Sequence, residues 1–268
     1  MATLASADGK SAAPDTHRPI HQAPSSVWAD RFRGRVILVT GAAGGLGSAA
    51  STRLRDEGAT VVNTDALGRG NGESPAASLR FDVTQRLEWD AVLDAVLGQH
   101  GRIDGALFAH GVQGPEAAVQ DMPFAGWSRT FAINLDGCFH GLAALLPVMR
   151  AAGYGRIAVL ASIAAREGNA NMAAYSASKA AVVALVKTAA KEAAPDGVTV
   201  NSVAPSMFRT RLLDDLSPER NAELLARVPM GRVGEPAEFA SLAAWLLSSE
   251  ASYTTGQVLD LSGGRNTA

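Results

Sequence analysis

"RVILVTGAAGGLGSAASTRLRDEGATVVNTD", residues 35–65, decides the fold. Its first seven residues are an apolar, β-branched run ending in Gly41, which reads as a strand buried on both faces. The segment "SAASTRLRDEG" follows as a helix closed by Gly58, and "ATVVNTD" is a second strand. A strand, a helix and a second strand in this order imply a right-handed parallel crossover. Between the first strand and the helix lies "TGAAGGLG", residues 40–47. Gly41, Gly45 and Gly47, with Leu46 among them, allow a tight turn and a close backbone approach to a pyrophosphate. The helix N-terminus beyond the turn favours the same negative charge.

A glycine-rich turn alone is a weak signal, since many strand-to-helix turns use glycine for geometry. Asp65, at the end of the second strand, strengthens it. A carboxylate there can accept both ribose hydroxyls of an adenosine and would repel a 2′-phosphate. The turn contains no Arg or Lys to receive that phosphate. Both features point to NAD rather than NADP as cofactor. The competing reading of Asp65 is a solvated loop carboxylate.

The pattern continues along the chain. "LEWDAVLDAVLGQHG" reads as a helix, "IDGALFAHG" as a strand, and "WSRTFAINLDGCFHGLAALLPVMRA" as a long helix. "GRIAVLAS" is a strand, a helix covers 175–193, "GVTVNSVAP" is a strand, "PAEFASLAAWLLSS" is helical, and "GQVLDLSGG" closes the sheet. The expectation is one α/β domain over 31–268, a doubly wound, mostly parallel sheet of the Rossmann type. Ligands in such sheets bind beyond the carboxyl ends of the strands, here Gly41, Asp65, Asp82, Gly111, Ser162 and Pro205. Residues 1–30, rich in Ala, Ser, Pro and Asp without apolar periodicity, read as a flexible extension.

Composition bounds the function. A hydrophobic fraction of 47% with 19% charged residues suits a globular chain with a sizeable core. A net charge of −2 provides no positive field to collect phosphates, which argues against a nucleic-acid partner. No run of about 18 apolar residues appears, so no membrane span is expected. One cysteine, Cys138, excludes an internal disulfide and fits a reducing, cytoplasmic setting.

Within "AAYSASKAAV", Tyr175 and Lys179 stand four residues apart and share one helical face. Taken singly, each reads as an ordinary amphipathic surface residue. Together with Ser162, thirteen residues upstream, and Asn134, they carry a resemblance that covers nearly all of the chain from about 32 to 264. The sequence resembles the short-chain dehydrogenase/reductase family. "TGAAGGLG" matches its cofactor turn, "FDVT" its Asp-Val pair at Asp82 and Val83, "FAINLDG" its helix asparagine, "YSASK" its Tyr-Lys motif, and "NSVAPSMFRT" its nicotinamide loop.

The resemblance implies an oxidoreductase moving a hydride between a secondary alcohol or ketone and a nicotinamide. It implies catalytic Asn134, Ser162, Tyr175 and Lys179, and no metal. The cofactor contacts implied are Gly41, Gly45, Leu46, Gly47, Asp65, Asp82, Val83, Ala109, Gly111, Tyr175, Lys179, Pro205, Phe208 and Thr210. A free phenol has a pKa of about 10, so Tyr175 needs help to act as a base. Lys179 would favour its phenolate by charge, and Ser162 would hydrogen-bond the substrate oxygen. Asn134, with its carbonyl turned inward, would hold a water linking Lys179 to solvent. A homotetramer or homodimer is implied, built through helices at 127–150 and 175–193.

Two departures stand out. "FAHG", residues 108–111, replaces the family's NNAG, so Phe108 must be accommodated by packing, and His110 takes a packing or ribose-adjacent place. Ser206 follows Pro205 where the family has glycine, so this loop starts differently. Substrate-facing segments carry Arg166, Glu167, Asn169, Asn171, Arg209 and Arg211, a lining suited to a polyol or carboxylate. "REGNANMAAYSASKA" and the ending "LSGGR" are similar to the branch that oxidises 2-keto-3-deoxy sugar acids. A 3-oxoacyl carrier-protein reductase and a non-catalytic NAD-binding sensor remain as alternatives.

Overall fold

The computed structural model describes residues 28–66, 79–210, 213 and 218–267. The expected flexible extension therefore lies outside the described residues, except for 28–30. There Asp30 pairs with Arg33, and the Arg31 guanidinium lies 4.8 Å from the Trp28 ring.

Strand β1 (Val36–Thr40) is buried at every position. Its side chains alternate between the two faces, with Val36 and Leu38 in one core cluster and Ile37 and Val39 in the other. The same alternation recurs in β4 (Gly105–Phe108), where Ala106 and Phe108 face one way and Leu107 the other. A strand of this kind must be covered on both sides, which is why it reads as a continuous apolar run. The covers are α1 (Gly45–Asp56) and the helix Pro236–Leu247 on one face, with α2 (Arg86–His100) and two longer helices on the other.

Strand β2 (Thr60–Asp65) and the short β3 (Leu79–Arg80) extend the sheet to one edge. The strands β5 (Gly155–Leu160), β6 (Val198–Pro205) and β7 (Val258–Leu261) extend it to the other. The order is β3-β2-β1-β4-β5-β6-β7, and every pairing is parallel. The strand order reverses between β1 and β4, so the ligand crevice lies beyond the carboxyl ends of those two strands.

The long helix expected from 127 begins at Phe124 and is not uniform. It runs as α3 (Phe124–Phe131), a π-helical turn (Ala132–Asp136) and α4 (Gly137–Ala151). In the wide turn Gly137 N–H reaches back five residues to the Ala132 carbonyl. The helix Phe124–Ala151 is long and apolar enough to cross a membrane by length and composition alone. Its Cys138, Leu142, Leu145 and Met149 belong to the core cluster of the sheet, so the apolar content serves packing here.

The remaining helices are the short α5 (Ala164–Glu167), the 21-residue α6 (Ala173–Ala193), α7 (Pro218–Leu225) and α8 (Pro236–Leu247). A stripe of Ala174, Ser178, Val182, Val186 and Ala190 buries one face of α6 against the sheet. Phe108 is fully buried, with its ring 5.2 Å from that of Trp89. Gly141 of α4 makes the room, since a Cβ there would stand 2.5 Å from the Phe108 ring and 2.6 Å from Trp89.

Candidate active site

The glycine turn is built by steric necessity. Gly41 has φ +66°, and a Cβ on it would meet the backbone of Ala109 and His110 at 2.6–2.7 Å. A Cβ on Gly47 would lie 2.3 Å from the Gly41 carbonyl oxygen. Helix α1 then opens with Gly44 as N-cap, no side-chain cap and no acidic residue in its first turn. Its first turn holds no competing anion, the condition an incoming pyrophosphate requires. Leu46 packs its side chain into the adjoining core. Thr210 stands over the turn, with its Cγ2 2.9 Å from where a Gly45 Cβ would be.

Asp65 ends β2, and its Oδ2 accepts a hydrogen bond from Ala43 N–H at 3.0 Å. The carboxylate is thereby fixed beside the turn. Asp82 is exposed, and its Oδ1 accepts from both Thr84 N–H (2.9 Å) and Thr84 Oγ1 (2.8 Å). Val83 is buried, with its side chain against Gly137. A cavity of about 680 Å³ opens beside these strand ends, lined in part by Ala66, Arg80 and Asp82.

On the other side of the crevice, β5 delivers Ser162 and α6 delivers Tyr175 and Lys179. Ser162 is buried, and its Oγ accepts from Ala164 N–H at 3.1 Å. Lys179 is buried, and its Nζ donates to the Leu160 carbonyl at 2.6 Å, 5.9 Å from the Tyr175 ring centre. Burial pulls its ammonium down to about 8, with Cys138 opposing. Burial pushes the Tyr175 phenol up, and its hydrogen bond with Ser162 offsets part of that rise. Desolvation is the larger effect.

Asn134 sits in the π-helical turn and is fully buried. Its Oδ1 accepts from Val112 N–H (2.8 Å), while its Nδ2 donates to the Val112 carbonyl (2.9 Å) and to Ser178 Oγ (3.0 Å). Its side-chain carbonyl is thus turned to the strand end, with one of its two lone pairs used there. Gly111 lies between the groups, since a Cβ there would stand 3.2 Å from both Asn134 Oδ1 and Lys179 Nζ. Ala109 N–H donates to the Thr40 carbonyl, which joins β4 to β1 at this end.

The loop after β6 starts without a positive φ at Ser206, as its side chain requires. Pro205 offers its carbonyl to Ile163 N–H, and Ser206 N–H donates to Leu261. Phe208 buries its ring against Gly234. The polar substrate lining is largely paired elsewhere. Arg166 binds Asp260 at 2.7 Å, Glu167 binds Arg265 at 2.6 Å, and Arg209 binds Glu235 at 2.9 Å. Arg211 lies outside the described residues. Sequence reasoning did not find the Arg265 and Asp260 partners, because these pairings span more than ninety residues and no local pattern announces them. Among the described residues no cluster of metal-ligating side chains occurs.

A glycine turn with a bare helix end, opposite a Ser–Tyr–Lys group whose Ser162 and Lys179 are buried and whose Tyr175 is partly so, defines a dinucleotide-dependent oxidoreductase of the doubly wound class. The family profile described as enoyl-(acyl carrier protein) reductase matches residues 41–266. The chain is 37% identical over 247 residues to a 2-dehydro-3-deoxy-L-rhamnonate dehydrogenase (NAD(+)) of Sphingomonas sp. (strain SKA58), covering 90% of this chain and 99% of that one. It is 37% identical over 244 residues to a 3-oxoacyl-(acyl-carrier-protein) reductase of Vibrio cholerae serotype O1, covering 87% and 98%. A crystal structure of NAD+-bound xylitol dehydrogenase superposes with a TM-score of 0.79 at 34% identity, covering 87% of this chain and 99% of that one. The chain belongs to the short-chain dehydrogenase/reductase family.

Proposed function

We propose that this chain is an NAD-dependent secondary-alcohol dehydrogenase or ketone reductase, with Tyr175 as general acid and base. The observation that carries it is the convergence of Ser162, Tyr175 and Lys179 on the crevice faced by the glycine turn. NAD fits the residues present. The turn leaves no space for side chains at Gly41 and Gly47, and Asp65 is held against it by Ala43. Gly41, Gly45, Leu46, Gly47 and Thr210 would hold the pyrophosphate, Asp65 the adenosine ribose, Asp82 and Val83 the adenine. Ala109, Gly111, Pro205 and Phe208 would flank the remaining sugar and nicotinamide.

Bound NAD would supply the hydride acceptor. In alcohol oxidation, Tyr175 takes the hydroxyl proton as the carbinol C–H bond gives up its hydride and the C=O bond forms. In the reverse direction, the Tyr175 phenol gives its proton to the carbonyl oxygen. Ser162 donates a hydrogen bond to that oxygen and stabilises its developing charge. Lys179 places its charge near the phenol and would hold the nicotinamide ribose.

A polar hydroxy acid or sugar acid is the proposed substrate class, supported by the rhamnonate-type relative. An acyl-carrier ketoreductase is the second reading, supported by an equal identity to the Vibrio protein. A cytoplasmic homotetramer or homodimer is part of the proposal. The test is Tyr175→Phe. Turnover should fall by at least about a hundredfold, the range general acid–base catalysis supplies, with NAD affinity retained. Wild-type turnover in this variant would overturn the assignment.

A further inference from the structure

His110 is a buried group that the proposed chemistry does not use. It follows Phe108 and Ala109 at the carboxyl end of β4, and its imidazole lies between β1 and α4. Nδ1 lies 2.6 Å from Thr40 Oγ1, on the last residue of β1 before the glycine turn. Nε2 lies 3.5 Å from Cys138 Sγ, in the first turn of α4 beyond the π-helical turn of Asn134. Both partners are themselves buried. The ring packs 5.8 Å from Phe108 and 6.4 Å from Trp89. Gly137 is shaped to admit it, since a Cβ there would stand 3.1 Å from Nε2.

We propose that His110 is a positioning residue, a strut joining the glycine turn to the helix of Asn134, which sets cofactor affinity through its Thr40 end and turnover through its Cys138 end. This rests on the function proposed above. Three contacts on consecutive residues make the strut effective. The backbone of Ala109 and His110 walls Gly41, Gly111 sits against Asn134 and Lys179, and Val112 is bonded twice to Asn134. Fixing the imidazole at both ends therefore fixes the segment that touches both halves of the site. Burial, with the Lys179 charge adding to it, keeps the ring neutral, down to about 3. The strut thus does not change charge over the working pH range.

The test compares His110→Ala and His110→Asn, with NAD binding read by calorimetry and turnover read separately. His110→Ala should weaken NAD about three- to tenfold, the factor an ordinary hydrogen bond is worth, and should also lower turnover. In His110→Asn the amide stands where Nδ1 stood, so the Thr40 tie returns. NAD affinity should recover to within about twofold of wild type, while turnover stays low because the Cys138 contact is gone. A Thr40→Val, His110→Ala double variant should bind NAD no worse than the poorer single variant. Wild-type NAD affinity and turnover in His110→Ala, with only a lowered melting temperature, would overturn the proposal. So would His110→Asn as weak toward NAD as His110→Ala. The calorimetric readout needs no substrate, so it stands even if Tyr175→Phe were to refute the catalytic assignment.

Discussion

Replacing Asp65 by asparagine removes one charge and keeps one hydrogen bond. The carboxylate is half-buried at the end of β2, and its Oδ2 accepts from Ala43 N–H at 3.0 Å. An asparagine Oδ1 can accept the same bond, so the turn should hold its shape. What disappears is repulsion toward a 2′-phosphate. Two unit charges about 4 Å apart repel by about 1 kcal/mol in bulk water and about 4 kcal/mol near a protein surface. A half-buried group falls between, at about 2 kcal/mol, which corresponds to a factor of about 30. Asp65→Asn should therefore raise the NADP-to-NAD ratio of kcat/KM by about 10- to 100-fold, chiefly by lowering KM for NADP. Asp65→Ala should gain less, because it also releases the Ala43 amide. Initial rates with both cofactors on one responsive alcohol give the ratio. A ratio within about twofold of wild type in Asp65→Asn, or NADP preferred by the wild type, would refute the electrostatic reasoning.

Two further outcomes follow from packing and titration. Gly141→Ala places a Cβ 2.5 Å from the Phe108 ring and 2.6 Å from Trp89. Such overpacking costs about 1–3 kcal/mol, so the melting temperature should fall by about 3–10 °C, and an unchanged value in a thermal scan would contradict the described contact. The pH profile should differ by direction. Ketone reduction needs the phenol protonated and Lys179 charged, and Lys179 loses its proton as pH rises through about 8. Reduction should thus fall above that pH, whereas alcohol oxidation, which needs the phenolate, should gain from alkaline pH. A reduction rate that keeps rising beyond pH 9 would exclude this pairing of roles.

The central strands were legible because β1, β4 and β6 are buried on both faces, which makes them mostly apolar runs even though β6 also buries Thr199, Asn201 and Ser202. The glycine turn, Asp65, Ser162, Tyr175 and Lys179 were legible because each is local or sits at a fixed spacing. Strand β3 was not, because two exposed residues carry no period. Nor was the π-helical turn, for "AINLD" is compatible with an ordinary helix and only the wide hydrogen bond distinguishes it. The accommodation of Phe108 was foreseen as packing, but its means was not, since Gly141 lies thirty-three residues away in sequence. The commitment of Asn134 to Val112 and the shift of Lys179 and Tyr175 by burial needed three dimensions. Desolvation depends on what surrounds a group, and the sequence lists only its neighbours along the chain.

The ion pairs of Arg166 with Asp260 and of Glu167 with Arg265 join the loop after Ser162 to the strand and turn that close the sheet. These two stretches lie about a hundred residues apart in sequence, yet they form one charge-matched module. Recombining the loop of one relative with the closing strand of another would replace one side of these pairs without the other. A charge change in either stretch therefore falls on a partner in the other, which couples the far end of the chain to the loop after Ser162.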